Sequence, residues 1–204
     1  MKRIFLVRHG ETDWNRQMRV QGREDVPLND RGREQARRLS RRLGRKSISA
    51  IFSSPLSRAR ETAEIIAANH NLIPETVSGL AEIDFGDWEG KIYGEMDERE
   101  RAAVTQWLSD PTLHSIPGGE TLQQFQKRLE DCYKKLLDNH AAGNMAIVTH
   151  AGAIKVLVAG IMEASLAKIP RLRLMTASLS IILYDDWGNP YLELFNDTCH
   201  LSTE

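Results

Sequence analysis

Cysteine is scarce: the 204-residue chain has only Cys132 and Cys199. There is no Cys-x-x-Cys pair, so neither a disulfide framework nor a thiolate metal site is expected. Charge of one sign is not in excess either, with 27 basic against 28 acidic residues and a formal net charge of −1. That balance removes any general reason to expect nucleic acid or a membrane as partner. The N-terminus lacks the basic, apolar and small-residue regions of a signal peptide. The most apolar later stretch, Ala151 to Ile161, is interrupted by Lys155 and is too short to cross a bilayer. His-x-x-x-His and Gly-x-Ser-x-Gly are missing too, which argues against a zincin-type metal site and a serine nucleophile elbow. What is present is 41% hydrophobic residues, enough for a sizeable core, in a length that suits one domain. A reducing cytoplasm is the expected location.

The chain opens on Ile4-Phe5-Leu6-Val7, a continuous apolar run that reads as a central strand covered on both faces. The polar stretch from Asp13 to Asn29 reads as a loop. Asn29-Asp30 caps a helix with Ala36, Leu39 and Leu43 on its apolar side and Gly44 at its end. Arg37, Arg38, Arg41, Arg42 and Arg45 read as its solvated face. Ser49 to Ser53 is a second strand, and Pro55 suits the first turn of a helix running to about Ala68. A short strand is expected near Thr76-Val77 and a loop from Leu80 to Gly90. Helical pattern returns over Tyr93 to Leu108, and again from Leu122 through Phe125, Leu129, Tyr133 and Leu136. Met145 to Thr149 is a further buried strand, followed by an apolar helix. Leu179–Tyr184 and Tyr191–Phe195 read as a hairpin. Alternating strands and helices predict an α/β fold: a three-layer α/β/α sandwich with a mostly parallel central sheet. A single domain over residues 1–204 is expected, with a short inserted cap segment at roughly 84–118.

Two histidines, His9 and His150, each follow a buried strand, and a third strand leads into Ser53-Ser54-Pro55-Leu56-Ser57-Arg58. Parallel strands place these three ends on one sheet edge, where open α/β sheets bind ligands. Arg8 beside His9 favours an anion and repels a metal cation. Gly10 removes a side chain where the backbone must turn or let a ligand approach. The helix after His150 points its first N–H groups at the same edge. The local chemistry is that of a histidine held next to a phosphoryl group.

Leu6-Val7-Arg8-His9-Gly10-Glu11-Thr12, Ser53 to Ala59 with Thr62-Ala63, Glu82 before Gly86-Asp87-Trp88-Glu89-Gly90, and Thr149-His150-Ala151-Gly152 occur in this order. Together they resemble the histidine phosphatase superfamily, in its phosphoglycerate-mutase-like branch, over nearly the whole chain. The resemblance implies that His9 is a nucleophile that is transiently phosphorylated. It implies that Arg8, Arg58 and His150 bind the phosphoryl oxygens and that Glu82 protonates the leaving oxygen. Asn15 and the Ala151 amide match further phosphate contacts, and Gln21 and Gly22 fall in the first polar loop with Arg16, Arg19 and Arg23. That loop is where the remote part of a substrate would rest. The family uses no metal, and no cofactor is expected.

These readings stand beside plainer ones. A lone histidine is most often a hydrogen-bonded core residue; the four-part pattern sets His9 and His150 apart. His70, His114 and His140 read as surface residues, while His200 belongs to a tail that lies near the pocket in similar phosphatases. A metal site from His9, His150, Asp84 and Asp87 is the weaker alternative, and helix capping accounts for Ser54 and Ser57. Mutase-like members carry a longer insertion after the acid; here only residues 83–117 separate Glu82 from Gly118, which favours access of water and hydrolysis. The lead expectation is a metal-independent phosphomonoesterase acting on a small-molecule phosphate ester. The runs at 82–90 and 117–120 resemble α-ribazole-5′-phosphate phosphatases of cobalamin assembly, and broad-specificity phosphatases too. A phosphoglycerate mutase and a non-catalytic phospho-ligand-binding module are the alternatives. A homodimer stays open, since nothing along Leu179 to Phe195 decides oligomeric state.

Overall fold

The computed structural model describes residues 1–202; residues 203 and 204, the end of the expected domain, lie outside them. A six-stranded mixed sheet runs in the order β3-β2-β4-β1-β5-β6. Its strands are β1 (Lys2–Arg8), β2 (Ala50–Ser53), β3 (Glu75–Thr76), β4 (Met145–Thr149), β5 (Leu179–Tyr184) and β6 (Pro190–Asp197). The first four are parallel, and β5 and β6 join antiparallel as the predicted hairpin.

The apolar runs are explained by burial on both faces. Alternate side chains of a strand point to opposite sides. Phe5, Val7, Ile51, Ala146 and Val148 therefore pack under α2 (Asp30–Leu43) and α3 (Ser57–Ala67), against Leu39, Leu43, Ala63 and Ile66. Ile4, Leu6, Phe52, Met145 and Ile147 pack on the other face, under α5 (Leu122–Asn139) and α6 (Ala151–Ile161). These are the expected helix layers on either side of the sheet.

Several local expectations shift. The loop after β1 contains a helical turn, α1 (Asp13–Arg16), started by a capping box in which the Thr12 hydroxyl takes the Asn15 N–H and the Asn15 side chain takes the Thr12 N–H. The helix α3 begins at Ser57, two residues after Pro55, and its N-cap Leu56 offers no side-chain hydrogen bond. The helical pattern of residues 93–108 divides into a 3-10 turn at Tyr93–Glu95 and α4 (Glu98–Ser109), separated because Asp97 and Glu100 form a second capping box. The basic face of α2 is partly covered, since Arg42 pairs with Asp197 at 2.6 Å and Arg38 donates to the Leu201 carbonyl. Among the described residues, no helix is long and apolar enough to cross a membrane.

Candidate active site

Strands β1, β2 and β4 end side by side at one edge, and each hands a polar residue to it. The His9 amide donates to the Thr149 carbonyl (3.0 Å), and the Ser54 amide donates to Val148 (2.9 Å), so the three ends are locked in register. His9 and His150 meet there, with ring centroids 5.1 Å apart. Both rings are buried.

The geometry fixes the tautomer of His9. Its Nδ1 lies 2.7 Å from the Gly10 carbonyl, which can only accept, so Nδ1 carries the proton and Nε2 keeps its lone pair. Burial, then the positive charges of Arg58 and Arg8, hold His9 well below the ordinary histidine range. The ring is therefore neutral at pH 7, as a nucleophile must be. His150 is lowered in the same way, by burial first and then by Arg58. Its Nε2 lies 2.7 Å from the Ser54 hydroxyl, and its Nδ1 is buried with no protein partner.

Arg58 is 1% exposed, although guanidinium groups are rarely buried. Two carbonyls hold it: Nη1 donates to Glu24 and Nη2 to Gly22, each at 2.7 Å. Burial pushes its pKa down to about 10, so it stays charged at neutral pH. Arg8 donates from Nη1 to the Leu174 carbonyl at 2.5 Å. The Nε atoms of both arginines are buried without a partner among the described residues. A buried donor left unpaired is costly, and two such donors beside His9 and His150 mark a place for a multiply charged oxyanion.

Glu82 is brought in by the segment after β3 and is 8% exposed. Its Oε2 accepts from the Gly152 amide (3.0 Å) in the first turn of α6, and its Oε1 accepts from its own neighbour Ile83 (3.1 Å). Arg128 clamps the backbone behind it, donating to the carbonyls of Gly79, Ala81 and Glu82 and pairing with Glu120. The Ala151 amide is the first of α6, where no carbonyl of the helix can reach it.

The remaining sequence candidates are placed as follows. Asn15 caps α1, and the Gln21 Oε1 accepts from the Thr12 hydroxyl at 2.9 Å. Gly22 gives its carbonyl to Arg58 and has φ +52; a Cβ there would meet the Glu89 carboxylate at 1.9 Å. Its side-chain-free backbone thus supports Arg58. Gly10 is required by packing as well: a Cβ would lie 2.4 Å from the Gly32 carbonyl of α2. Arg19 stacks on Trp14 of the same loop and donates to the Gly90 carbonyl, and Arg23 pairs with Glu120, so both tie the first loop to neighbouring segments. Ser54 bonds His150 and takes the Leu56 amide, and the Ser57 hydroxyl has no partner, so capping by their hydroxyls does not describe α3.

The alternative metal set does not assemble. Asp84 accepts from the Gly86 amide and pairs with Arg23. Among the described residues, no group of three or more His, Cys, Asp or Glu could hold a metal ion. His140 packs edge-on against Phe52, away from the site. His200 lies behind it: its Nε2 donates to the Ala177 carbonyl (3.0 Å), while the Ala177 amide holds the His9 carbonyl (2.9 Å). Sequence reasoning missed Arg128, which carries no local signal on its helix.

Residues 4–198 match the model of the histidine phosphatase superfamily, branch 1. The chain belongs to that superfamily. It is 35% identical to phosphoglycerate mutase-like protein 4 of Arabidopsis thaliana over 201 residues, covering 97% of this chain and 86% of the relative. It is 32% identical to phosphoserine phosphatase 1 of Hydrogenobacter thermophilus, covering 98% of this chain and 95% of that one. The solved structure of Bacillus stearothermophilus YhfR superposes with a TM-score of 0.91 at 33% identity, covering 99% and 100% of the two chains. The fold, the paired histidines and the chain's membership of the superfamily agree: it is a histidine phosphatase.

Proposed function

We propose that this enzyme hydrolyses a small-molecule phosphate monoester, without a metal, through a phosphohistidine on His9. The observation that carries the reading is the state of His9: neutral, proton on Nδ1, Nε2 free, beside buried Arg58 and half-buried Arg8. The Nε2 lone pair attacks phosphorus and the P–O bond to the alcohol breaks. Charge on the equatorial oxygens is met by Arg8, Arg58, His150 and the Ala151 amide. Glu82, in its protonated form, gives its proton to the departing oxygen. The Glu82 carboxylate then takes a proton from water, whose oxygen attacks phosphorus; the P–N bond breaks and phosphate leaves. Both steps use the same groups in reverse roles.

The test is phosphate release from an aryl phosphate with chelator present. The wild type is expected to turn over and His9→Ala to lose at least ~10³-fold in kcat. Rapid denaturation during turnover should trap an acid-labile phosphoryl group on His9. Equal rates for wild type and variant would remove His9 from this role. A mutase reading is favoured by the mutase-like relatives; it requires dependence on a bisphosphate primer and little net phosphate release. A binding module without catalysis would release no phosphate at all. Among substrates, α-ribazole-5′-phosphate remains a candidate from the runs at 82–90 and 117–120. Solved neighbours are named for α-ribazole phosphatase, phosphoserine phosphatase and glucosyl-3-phosphoglycerate phosphatase. The expected setting is the cytoplasm.

A further inference from the structure

The helix α6 is the most apolar in the chain and carries one charge, Lys155. Lys155 lies three residues after Gly152 and four after Ala151, so it shares the helix face that these two present to the site. That the face meets Glu82 is fixed by two facts. The Gly152 amide donates to Glu82 Oε2, and a Cβ on Gly152 would lie 2.4 Å from Oε1. The Lys155 side chain is half-buried and makes no hydrogen bond among the described residues; the charges it feels are Glu82 and Arg8. It is a poorly hydrated cation whose nearby countercharge is the carboxylate of the proposed general acid.

Charge bookkeeping then gives this lysine a role. Arg8 and Arg58 match the two charges of a phosphoryl dianion. To donate a proton, Glu82 must be neutral in the productive complex. In that state Lys155 faces Arg8 with its carboxylate partner gone, and a partly buried cation without a partner is unfavourable. In the proposed mechanism Glu82 protonates the ester oxygen, so Lys155, on the same helix face as the Gly152 amide that holds Glu82, lies on the leaving-group side of phosphorus.

We propose that Lys155 is a specificity residue that pairs with a second negative charge on the leaving group, so that the substrates are phosphorylated hydroxy acids rather than neutral phosphate esters. This deepens the phosphatase reading and rests on it. It also ranks the candidates: a carboxylate-bearing ester should outcompete a nucleoside phosphate such as α-ribazole-5′-phosphate, whose leaving group offers no anion.

Glycerol 3-phosphate and 3-phosphoglycerate test this directly, because they differ in one terminal group, CH₂OH against carboxylate. For the wild type, kcat/KM is expected to favour 3-phosphoglycerate by about tenfold or more, the range of one charge-assisted contact. Lys155→Met should abolish that preference through KM, bringing the ratio of the two kcat/KM values to near one. Lys155→Arg should restore most of it, which a purely structural role would not. A parallel loss on both esters, or no change on either, would overturn the proposal while leaving the phosphatase reading intact. If neither ester nor an aryl phosphate is hydrolysed by the wild type, the phosphatase reading fails first and takes this one with it.

Discussion

Adding a single methyl group at Gly152 separates fold from chemistry. The new Cβ would stand 2.4 Å from Glu82 Oε1, 3.1 Å from its Cδ and 3.4 Å from Oε2. Ordinary contact needs roughly 3.3 Å or more, so the carboxyl must retreat by about 1 Å. Both of its oxygens are held by amides, and its surroundings are close-packed, so it cannot retreat without losing its alignment. A displacement of about 1 Å at a reacting group costs on the order of 10²-fold in rate. The same change should leave the fold intact, because alanine is the better helix former by up to about 1 kcal/mol and offsets part of the cost of moving the carboxyl. Gly152→Ala should therefore fold and melt within a few degrees of the wild type and yet hydrolyse an alkyl phosphate about 10²-fold more slowly. An activated aryl phosphate, whose leaving group departs without a proton, should lose far less. Glu82→Gln should show the same split between the two esters. Equal losses on both would refute the assignment of Glu82 as proton donor, and unchanged rates on both would refute the steric reasoning.

The other expectations follow from the buried polar groups. His9 and His150 are depressed in the native state, whereas the unfolded chain titrates near 6.5. Below about pH 6.5 the unfolded chain takes up protons that the native state refuses. Their contribution is thus complete above that pH and falls on acidification by up to ~1.4 kcal/mol per pH unit for each histidine. Denaturant unfolding at pH 7.5 and 5.5 checks this: His9→Asn should show a shallower loss than wild type, and an identical loss would contradict it. Ser54→Ala removes the hydrogen-bond partner of the His150 ring among the described residues and should cost about 1–3 kcal/mol. It should also weaken inhibition by inorganic phosphate; unchanged inhibition would free His150 from the anion site. His200→Ala breaks the link to Ala177, a buried residue in the left-handed region (φ 53) whose amide holds the His9 carbonyl. Phosphoenzyme formation should slow several-fold with little change in KM, and an unaltered rate would make the tail irrelevant to His9.

How much of this was legible beforehand depends on whether a residue's role is local. Ile4 to Val7 and Met145 to Thr149 announce central strands because double-sided burial demands unbroken apolar runs, and the coordinates show that packing. His9, Arg58 and His150 could be grouped because each follows a strand, and parallel strands end together. Partners across the fold were not legible. That Gly10 meets Gly32, that Gly22 supports Arg58, and that Arg128 clamps the segment of Glu82 are contacts between elements whose distance in space no spacing encodes. The capping boxes at Thr12/Asn15 and Asp97/Glu100 were readable by pattern, and overlooking them left α1 unpredicted and set the expected start of α4 too early. Ser54 and Ser57 were assigned to capping on residue type alone, and the demands of His150 outweighed that preference for Ser54.

Arg58, buried, and Arg8, half-buried, do two jobs that pull in the same direction. With phosphate as the target, Arg8 and Arg58 must be fixed and desolvated, since a charge in a dry site acts far more strongly than one in water. Such fixed charges necessarily repel a proton from any imidazole beside them, and here they lie next to His9 and His150. An arrangement of charges that would attract a dianion thereby keeps His9 unprotonated, and the Gly10 carbonyl then settles which nitrogen is free. Replacing either arginine with an uncharged residue would weaken both effects at once. Arginine serves this site better than lysine for a further reason: it remains protonated at neutral pH even where burial has brought Arg58 down to about 10.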